Sequence, residues 1–324
     1  MKILKTLGAM LLHLLFSLLV LLLVAWIGLL VAKLVVYPDY MDNKETICSI
    51  PGIHEGYVPQ GLDHVDDNTY LFSGYHGDNM LSLYLSENGV GKQILPIDKN
   101  GKALVGHGGG ITSAKDFVYI ASEGKLYIFS LSQLKSAESG DKVSPIGIFP
   151  VDTEASFCFA NDTHLFVGEF YKAEDYEIDH SHAYTTPAGD EHRALISCYP
   201  LNEDGSITDE YPLYSISVTS WVQGFAVKGD TYMVSRSWGL NSSTLEFYEG
   251  LKDSGKTIDV SGKEVPLYYL DSSNHQKTVK MPAFSEDLDV VGNRVIVSFE
   301  SACNKYIVGK LFFADKVISY PIED

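Results

Sequence analysis

The stretch "GYVPQGLDHVDDNTYLFSGY" (Gly56–Tyr75) recurs in outline far along the chain as "SWVQGFAVKGDTYMVSRSWG" (Ser220–Gly239). In both, Gln-Gly leads into a short apolar run, a polar corner follows, and a second apolar run begins with Thr-Tyr. Two apolar runs joined by turn residues such as Asp, Asn, Lys and Gly predict a β-hairpin. A hairpin written more than once along a chain indicates a repeat architecture.

Three further hairpins fit the same outline. They are "GGITSAKDFVYIAS" (Gly109–Ser122), "SFCFANDTHLFVGE" (Ser156–Glu169) and "SEDLDVVGNRVIVSFE" (Ser285–Glu300). A third strand-like segment follows every hairpin, and a fourth follows all but the last. A unit of roughly 50–65 residues with four antiparallel strands is typical of a β-propeller blade, with insertions in the longer units.

The two chain ends complete this count. The third strand of the fifth unit, "KVISYPI" (Lys316–Ile322), lies at the C-terminus, whereas an unassigned strand, "ETICSIPG" (Glu45–Gly52), precedes the first hairpin. A ring closed by this N-terminal strand leaves no open sheet edge. The sequence therefore predicts an all-β, five-bladed propeller of four-stranded antiparallel blades. A six-bladed ring is the alternative, if an insertion hides a degenerate blade.

The N-terminal residues predict one transmembrane helix. The run from Leu7 to Ala32 is apolar apart from His13 and Ser17, and about 20 such residues suffice to cross a bilayer. Lys2 and Lys5 precede it, which favours a cytoplasmic N-terminus. A cleaved signal peptide is the competing interpretation, but its apolar region is shorter. We expect a cytoplasmic tip and signal anchor over 1–36, a linker over 37–44, and a propeller outside the plasma membrane over 45–324.

Charge and cysteine content narrow the class of protein. A formal net charge of −18 argues against nucleic acid as a partner and against adhesion to an anionic lipid surface. The four cysteines are not arranged as CxxC, so no redox or zinc motif is indicated. Buried thiols and disulfides remain open alternatives for Cys48, Cys158, Cys198 and Cys303.

Antiparallel order places certain loops on one face, which we call the upper face. The upper face carries two kinds of loop: the loop that precedes the innermost strand of each blade, and the loop that joins the second strand of a blade to the third. Because the N-terminal strand takes the fourth position, it runs from the lower face to the upper. We therefore expect the transmembrane helix to attach below and the upper face to point away from the bilayer.

Polar and aromatic residues gather on these upper loops. Convergent polar groups in a concave place are typical of ligand sites. The predicted ligand-binding residues are Gln60, Tyr75, His76, His107, Gln223, Arg236 and Trp238. Glu169, Glu286 and Glu300 are candidates for general acid–base catalysis, if crowding raises the pKa of one of them. The alternative is that such residues only tie neighbouring blades together.

A long loop of the third blade, residues 171–193, reaches the same face. It carries His180, His182 and His192 among several acids, and imidazole with carboxylate can hold a divalent metal. We expect the loop to act as a lid over the channel, with a metal site as a weaker hypothesis.

The inner-strand motifs PQGL and VQGF resemble those of the broad propeller superfamily that includes YVTN-type and strictosidine-synthase-like domains. The resemblance covers residues 45–324 and implies architecture rather than activity. The five-blade count and the QGL motif are also similar to plant-type glutaminyl cyclases. The EGW/EGL and NELE-like signatures of that family are not matched, since SEDLDV stands near the expected place. The anchored arrangement resembles bacterial envelope proteins.

These observations favour an anchored propeller that binds a small molecule, a peptide or an envelope protein at its upper face. An envelope hydrolase or a glutaminyl-cyclase-like enzyme that uses the acidic channel residues is the alternative. A scaffold with an inert channel is a third interpretation.

Overall fold

The computed structural model describes residues 2–312 and 314–322, with side chains from Thr6 onward. The predicted boundaries at residues 1 and 324 lie outside the described residues, as do the side chains of Lys2 and Lys5. Five antiparallel blades follow one another around a ring. Each blade has four strands, and insertions add further strands to two of the sheets. The predicted all-β, five-bladed propeller is confirmed.

Each blade takes its strands in chain order, except the last. The first blade consists of β2 (Val58–Asp66), β3 (Thr69–His76), β4 (Met80–Glu87) and β5 (Val90–Pro96). The second consists of β6 (Gly110–Ala114), β7 (Phe117–Ser122), β8 (Lys125–Ser130) and β10 (Gly147–Pro150). The third consists of β11 (Phe157–Ala160), β12 (His164–Gly168), β15 (Ala194–Pro200) and β16 (Tyr214–Val218).

The fourth blade consists of β17 (Val222–Lys228), β18 (Thr231–Arg236), β19 (Ser243–Glu249) and β22 (His275–Met281). The fifth joins both chain ends and consists of β23 (Ser285–Val291), β24 (Arg294–Phe299), β25 (Lys316–Pro321) and β1 (Glu45–Ser49). In it, Thr46 pairs with Ile318 and Glu45 with Ser319 in antiparallel register. The ring is closed by the N-terminal strand, as the sequence predicted.

Insertions extend two of the blades. Between β8 and β10, the chain forms α3 (Leu131–Ser136) and β9 (Lys142–Val143), and β9 pairs with β5 of the first blade. The hairpin β20 (Lys252–Val260) and β21 (Lys263–Tyr269) belongs to the fourth unit, but β21 pairs with β16 of the third blade. The long loop after β12 contains the short helix η1 (His180–His182) and the strands β13 (Tyr184–Thr185) and β14 (Glu191–His192).

Glycines allow the innermost strands to approach one another. A Cβ on Gly61 would lie 2.6 Å from the backbone nitrogen of Ile111 in the next blade, and one on Gly224 would lie 2.7 Å from Cα of Asp287. A side chain at either position would collide with backbone, so glycine is required by close packing. Buried aromatic side chains fill the space between blades; Phe72, Phe129, Phe157, Phe225 and Phe299 come from the five blades in turn.

The N-terminal helix α1 (Lys2–Val36) contains a stretch, Thr6–Val36, that is long and apolar enough to cross a membrane. The residues predicted as a linker, 37–44, pack on the domain instead of standing clear of it. They contain the helix α2 (Pro38–Asn43), and Tyr37 and Tyr40 are buried in the core beside the fourth and fifth blades.

The direction of α2 corrects one prediction. At its start, the Tyr37 hydroxyl lies 3.2 Å from Oγ of Ser242, in the upper loop between β18 and β19. At its end, the carbonyl of Asn43 accepts a hydrogen bond from Arg294, which begins β24 at the lower face. The chain thus descends along the outside of the ring before β1 ascends. The expectation that α1 attaches below is wrong: α1 ends at the upper rim.

Candidate functional site

A cavity of about 520 Å³ opens at the upper end of the central channel. Its lining comes from the loops that enter the innermost strands and from those that follow the second strands. This volume falls within the range of small-molecule sites. Side chains from all five blades contribute to it, among them Gln60, His107, Glu154, Gln223 and Glu286.

Two carboxyl groups lie at the floor of the cavity. Glu286 follows the first residue of β23 and is 3% exposed, while Glu300 comes directly after β24 and is 7% exposed. Burial raises the pKa of Glu286 well above its usual range, and the nearby charge of Glu300 adds to this rise. Burial also raises the pKa of Glu300, to about 7, although Lys305, Tyr306 and Gln60 act against the rise. The pair can therefore hold and release a proton near neutral pH.

Gln60 and Lys305 support this pair from two sides. Nε2 of Gln60 donates a hydrogen bond of 3.0 Å to Oε2 of Glu300 across the seam between the first and fifth blades. Nζ of Lys305 donates to the Tyr75 hydroxyl and lies 5.0 Å from the centre of the Tyr75 ring. Tyr75 in turn stacks on His107, with ring centres 5.0 Å apart. Among the residues that the structure describes, Lys305 is the only lysine or arginine in the cavity lining, and these contacts hold it against an aromatic surface.

Three aromatic side chains form the opposite wall. Phe170 lies 5.9 Å from Trp238 and 5.3 Å from Tyr176, measured between ring centres, and Tyr176 meets Trp238 edge to face at 5.9 Å. Nζ of Lys172 lies 5.3 Å from the centre of the Trp238 ring. Such a wall attracts apolar groups and cations, and one cation of the chain itself already uses it.

The rim of the cavity is acidic. Glu123, Glu154 and Glu177 line the cavity, and all three are exposed at its edge. Together with the deeper carboxyl pair, they outnumber the basic groups of the lining. The field inside a concave site lined by one sign of charge attracts ligands of the opposite sign.

Backbone strain marks the same rim. Ala155, Trp221 and Phe284 each stand just before an innermost strand and adopt positive φ values of 51°, 69° and 66°. This region favours glycine, and a residue with a side chain held there costs of order 1–3 kcal/mol. Such costs concentrate at functional sites, and Ala155 and Phe284 both line the cavity.

Most of the predicted site residues meet in this cavity. Gln60, Tyr75, His107, Gln223, Trp238, Glu286 and Glu300 all line it. Counting antiparallel strands predicted that these residues lie together on the upper face, and they do. That they bind a ligand stays a prediction.

Three predicted residues lie elsewhere. His76 packs against Tyr57 and Tyr84 beside the first blade. Arg236 donates a 2.8 Å hydrogen bond to Glu246 in a separate cavity of about 340 Å³. Glu169 is 1% exposed and accepts hydrogen bonds from the backbone of Leu195 and from His182. Each is thus engaged in contacts outside the channel mouth.

The three histidines of the long loop have separate partners. Nδ1 of His182 lies 2.7 Å from Oε1 of Glu169, and Nδ1 of His192 lies 3.2 Å from Oγ of Ser217, while His180 is exposed. Burial lowers the pKa of His182, but the hydrogen bond and charge of Glu169 outweigh it, so that the net shift is upward. Within the described part of the chain, no group of three or more His, Cys, Asp or Glu side chains is arranged for a metal. The divalent-metal hypothesis gains no support from this geometry.

Sequence reasoning missed the residues that the fifth blade supplies from its longest upper loop. Lys305 and Tyr306 of that loop line the cavity. Tyr306 stacks, with ring centres 4.7 Å apart, on Phe284, which also lines the cavity but stands just before β23. The available signal was the length of the segment between β24 and β25, which interrupts an otherwise short repeat. All four cysteines are free thiols, so the disulfide alternative is not realised.

No family model matches the chain, and no curated protein sequence matches it either. Among solved structures, the chain is similar to the WD40 β-propeller domain of Doa1, with 13% identity over 87% of this chain and 97% of that one and a TM-score of 0.37. It is also similar to BamB from Moraxella catarrhalis, with 8% identity over 81% and 84% of the two chains and a TM-score of 0.32. The computationally designed Ika8 protein is similar at 8% identity, 82% and 71% coverage and a TM-score of 0.33.

Similarities this distant carry no argument about activity. The propeller assignment rests on the strand pairing described above. The resemblances to YVTN-type domains, strictosidine-synthase-like domains and glutaminyl cyclases stay predictions.

Proposed function

We propose that this protein is a membrane-anchored, extracytoplasmic propeller that binds a cationic small molecule, or the basic end of a peptide or envelope protein, in the upper cavity. The observation that carries the proposal is the convergence of acidic groups from several blades on a cavity with one aromatic wall. A cation is attracted by the carboxylates and by the faces of the aromatic rings, whereas an anion is repelled. The apolar helix α1 supports the anchoring.

Titration with paired ligands tests this proposal. Choline and a diamine, each compared with its neutral carbon isostere, are titrated into the full chain in detergent micelles by calorimetry. We expect the cations to bind more tightly than the neutral partners. E300Q removes a carboxylate from the floor and should weaken the cation about tenfold, which corresponds to roughly 1.4 kcal/mol.

A matched control separates local from general charge effects. Glu87 ends β4 at the lower face and is exposed, so E87Q removes the same charge far from the cavity. Equal weakening by E300Q and E87Q, or the absence of any preference for the cation, would overturn the proposal.

Acid–base catalysis in the same cavity is a second candidate function. It is favoured by the shifted acidity of the floor pair: burial raises the pKa of Glu300 to about 7 and that of the adjacent Glu286 well above its usual range. Two carboxyl groups with separated pKa values can divide the roles of base and acid. In that case, E300Q would retain affinity for a neutral substrate and lose turnover. For a binding protein, no turnover is present to be lost, and affinity alone changes.

A further inference from the structure

The upper loops carry most of the large apolar side chains that are exposed outside α1. On the loop between β24 and β25, Ile307 is 81% exposed, and Val308 and Leu311 are also exposed. Leu240 is exposed on the neighbouring upper loop of the fourth blade. Met80, Val105 and Tyr176 continue this set around the rim. Apolar side chains gathered on one face of a soluble domain indicate an interaction surface.

The loop at the centre of this set has an interfacial composition. Residues 304–312 read "NKYIVGKLF", with two lysines and no acid. Apolar residues interspersed with lysine are typical of segments that lie at a membrane–water interface. This stands out in a chain with 42 acidic and 24 basic residues.

The membrane helix leaves the domain beside the same loops. Tyr37 directly follows α1 and contacts Ser242, two residues from Leu240. The ring of Tyr40 meets that of Phe299, at the end of β24, edge to face with centres 6.4 Å apart. The point at which α1 leaves is therefore at the upper rim of the fourth and fifth blades.

No long spacer separates this rim from the apolar run. The apolar run ends at Ala32, and the helix continues to Val36 before Tyr37 becomes buried. At ~1.5 Å per residue, residues 33–36 span about 6 Å. The backbone nitrogen of Tyr37 donates to the carbonyl of Lys33, so the helical hydrogen bonding continues up to the domain. None of the most apolar stretch of α1 is buried against the domain, so the helix projects away from it.

We propose that the upper face rests on the bilayer that α1 crosses, with Leu240 and the loop 304–312 placed among the lipid headgroups. This inference rests on the membrane anchoring given under the proposed function. The short distance from the membrane span to the rim holds the face at the surface, and the apolar tips contribute by burial in the interface. The channel mouth then opens toward the headgroup region, so that its ligands approach along the membrane surface.

Depth-dependent quenching in vesicles tests this orientation. The full chain, with Cys48→Ser to remove the half-buried thiol, receives a single labelled cysteine and is reconstituted in zwitterionic vesicles that contain nitroxide-labelled lipids. The label is placed by I307C on the upper loop. The matched control is V90C, because Val90 is 73% exposed at the lower turn of the first blade. F16C, within the apolar run, reports insertion of α1.

The expected result is loss of fluorescence at positions 307 and 16, with no loss at position 90. Quenching at 16 but at neither 307 nor 90, or quenching at 90 instead of 307, would overturn the docked orientation and leave the anchoring intact. No quenching at position 16 would overturn the anchoring and, with it, this inference. None of these readings depends on whether the cavity binds a cation, so the two proposals can fail separately.

Discussion

The two mouths of the central channel are both lined by carboxyl groups, but these groups have different partners. At the lower mouth, Asp289 accepts a 2.6 Å hydrogen bond from the backbone nitrogen of His64, and Asp63 accepts one of 2.9 Å from that of Ser113. Deeper in the channel, Asp287 accepts from the backbone nitrogens of Leu62 and Ile111. Each of these bonds joins an innermost strand to one in another blade.

At the upper mouth, the partners are side chains around open space. Glu300 is held by Gln60, Lys305 and Tyr306, and Glu286 by Glu300. The comparison shows that neighbouring acidic residues serve two purposes on the same strand: Glu286 faces the cavity, and Asp287 joins the innermost strands of different blades. Carboxylates that accept backbone N–H groups hold the fold together, whereas those that face a cavity are available to a ligand.

Asp287 should produce the largest effect of any single change in this comparison. D287A leaves the two N–H groups of Leu62 and Ile111 without their acceptor in a buried place. We expect the free energy of unfolding to fall by roughly 3–4 kcal/mol, since each unsatisfied buried group costs about 1–3 kcal/mol. Urea denaturation of the full chain in detergent micelles measures this loss.

The neighbouring residue provides the control. E286Q keeps the shape of the side chain and its capacity to hydrogen-bond to Glu300, so its free energy of unfolding should change by less than about 1 kcal/mol. If E286Q destabilises the fold as much as D287A, the distinction between the tying and the cavity-facing carboxyls is wrong.

The second prediction concerns pH, because the buried carboxyls of the two mouths titrate in different windows. Burial raises the pKa of Glu300 to about 7 from an ordinary value of 4.5. A raised folded-state pKa means that the folded protein favours the protonated form. The stability contribution is therefore fully present below pH 4.5 and is lost as the pH rises toward 7. E300Q should remove this loss, so its stability relative to the unmodified chain should rise by about 3 kcal/mol across that window.

Asp63 sharpens the pH comparison at the lower mouth. Burial raises its pKa to about 6 from 3.8, against the hydrogen bonds from Ser113 and Thr112. The relative stability of D63N should therefore level off near pH 6, about one pH unit below that of E300Q. Unfolding free energies of the three proteins between pH 4 and 8 make this comparison, and coincident curves for the two variants would contradict it.

The fold was predictable because each repeat is specified by residues close together in the sequence. Each inner hairpin has its own turn residues. Gly61 and Gly224 mark the positions where innermost strands of neighbouring blades lie too close for a side chain. Ring closure followed from counting strands, and Thr46 opposite Ile318 bears it out. The turn of the chain at Tyr37 was not predictable, because it depends on burial of Tyr37 and Tyr40 against blades far along the sequence. Strand counting alone therefore placed α1 at the wrong rim.

The site was predictable as far as the repeat extends. Gln60, Gln223 and Glu286 stand at corresponding positions of three inner hairpins, and all of them line the cavity. Lys305 and Tyr306 lie on an insertion, where no repeat indicates which way a side chain points. Arg236 ends its strand at the expected face, but its side chain turns outward to Glu246. Counting strands predicts the face on which a residue lies and not the direction of its side chain.

The smallest expected effect comes from the seam that both mouths share. The first and fifth blades are joined above by Gln60 and Glu300 and below by His64 and Asp289. Q60A removes a side-chain donor beside an open cavity, where water can replace it, so the loss should be about 1 kcal/mol or less. D289A removes the acceptor of a backbone N–H group and should cost about twice as much. Because the Gln60 hydrogen bond acts against the burial that raises the pKa of Glu300, Q60A should also move the stability loss of the preceding titration to higher pH. The contrary result would be a Q60A protein that is less stable than D289A and whose unfolding free energy keeps the same pH dependence. It would show that the upper carboxyl groups join the blades as the lower ones do.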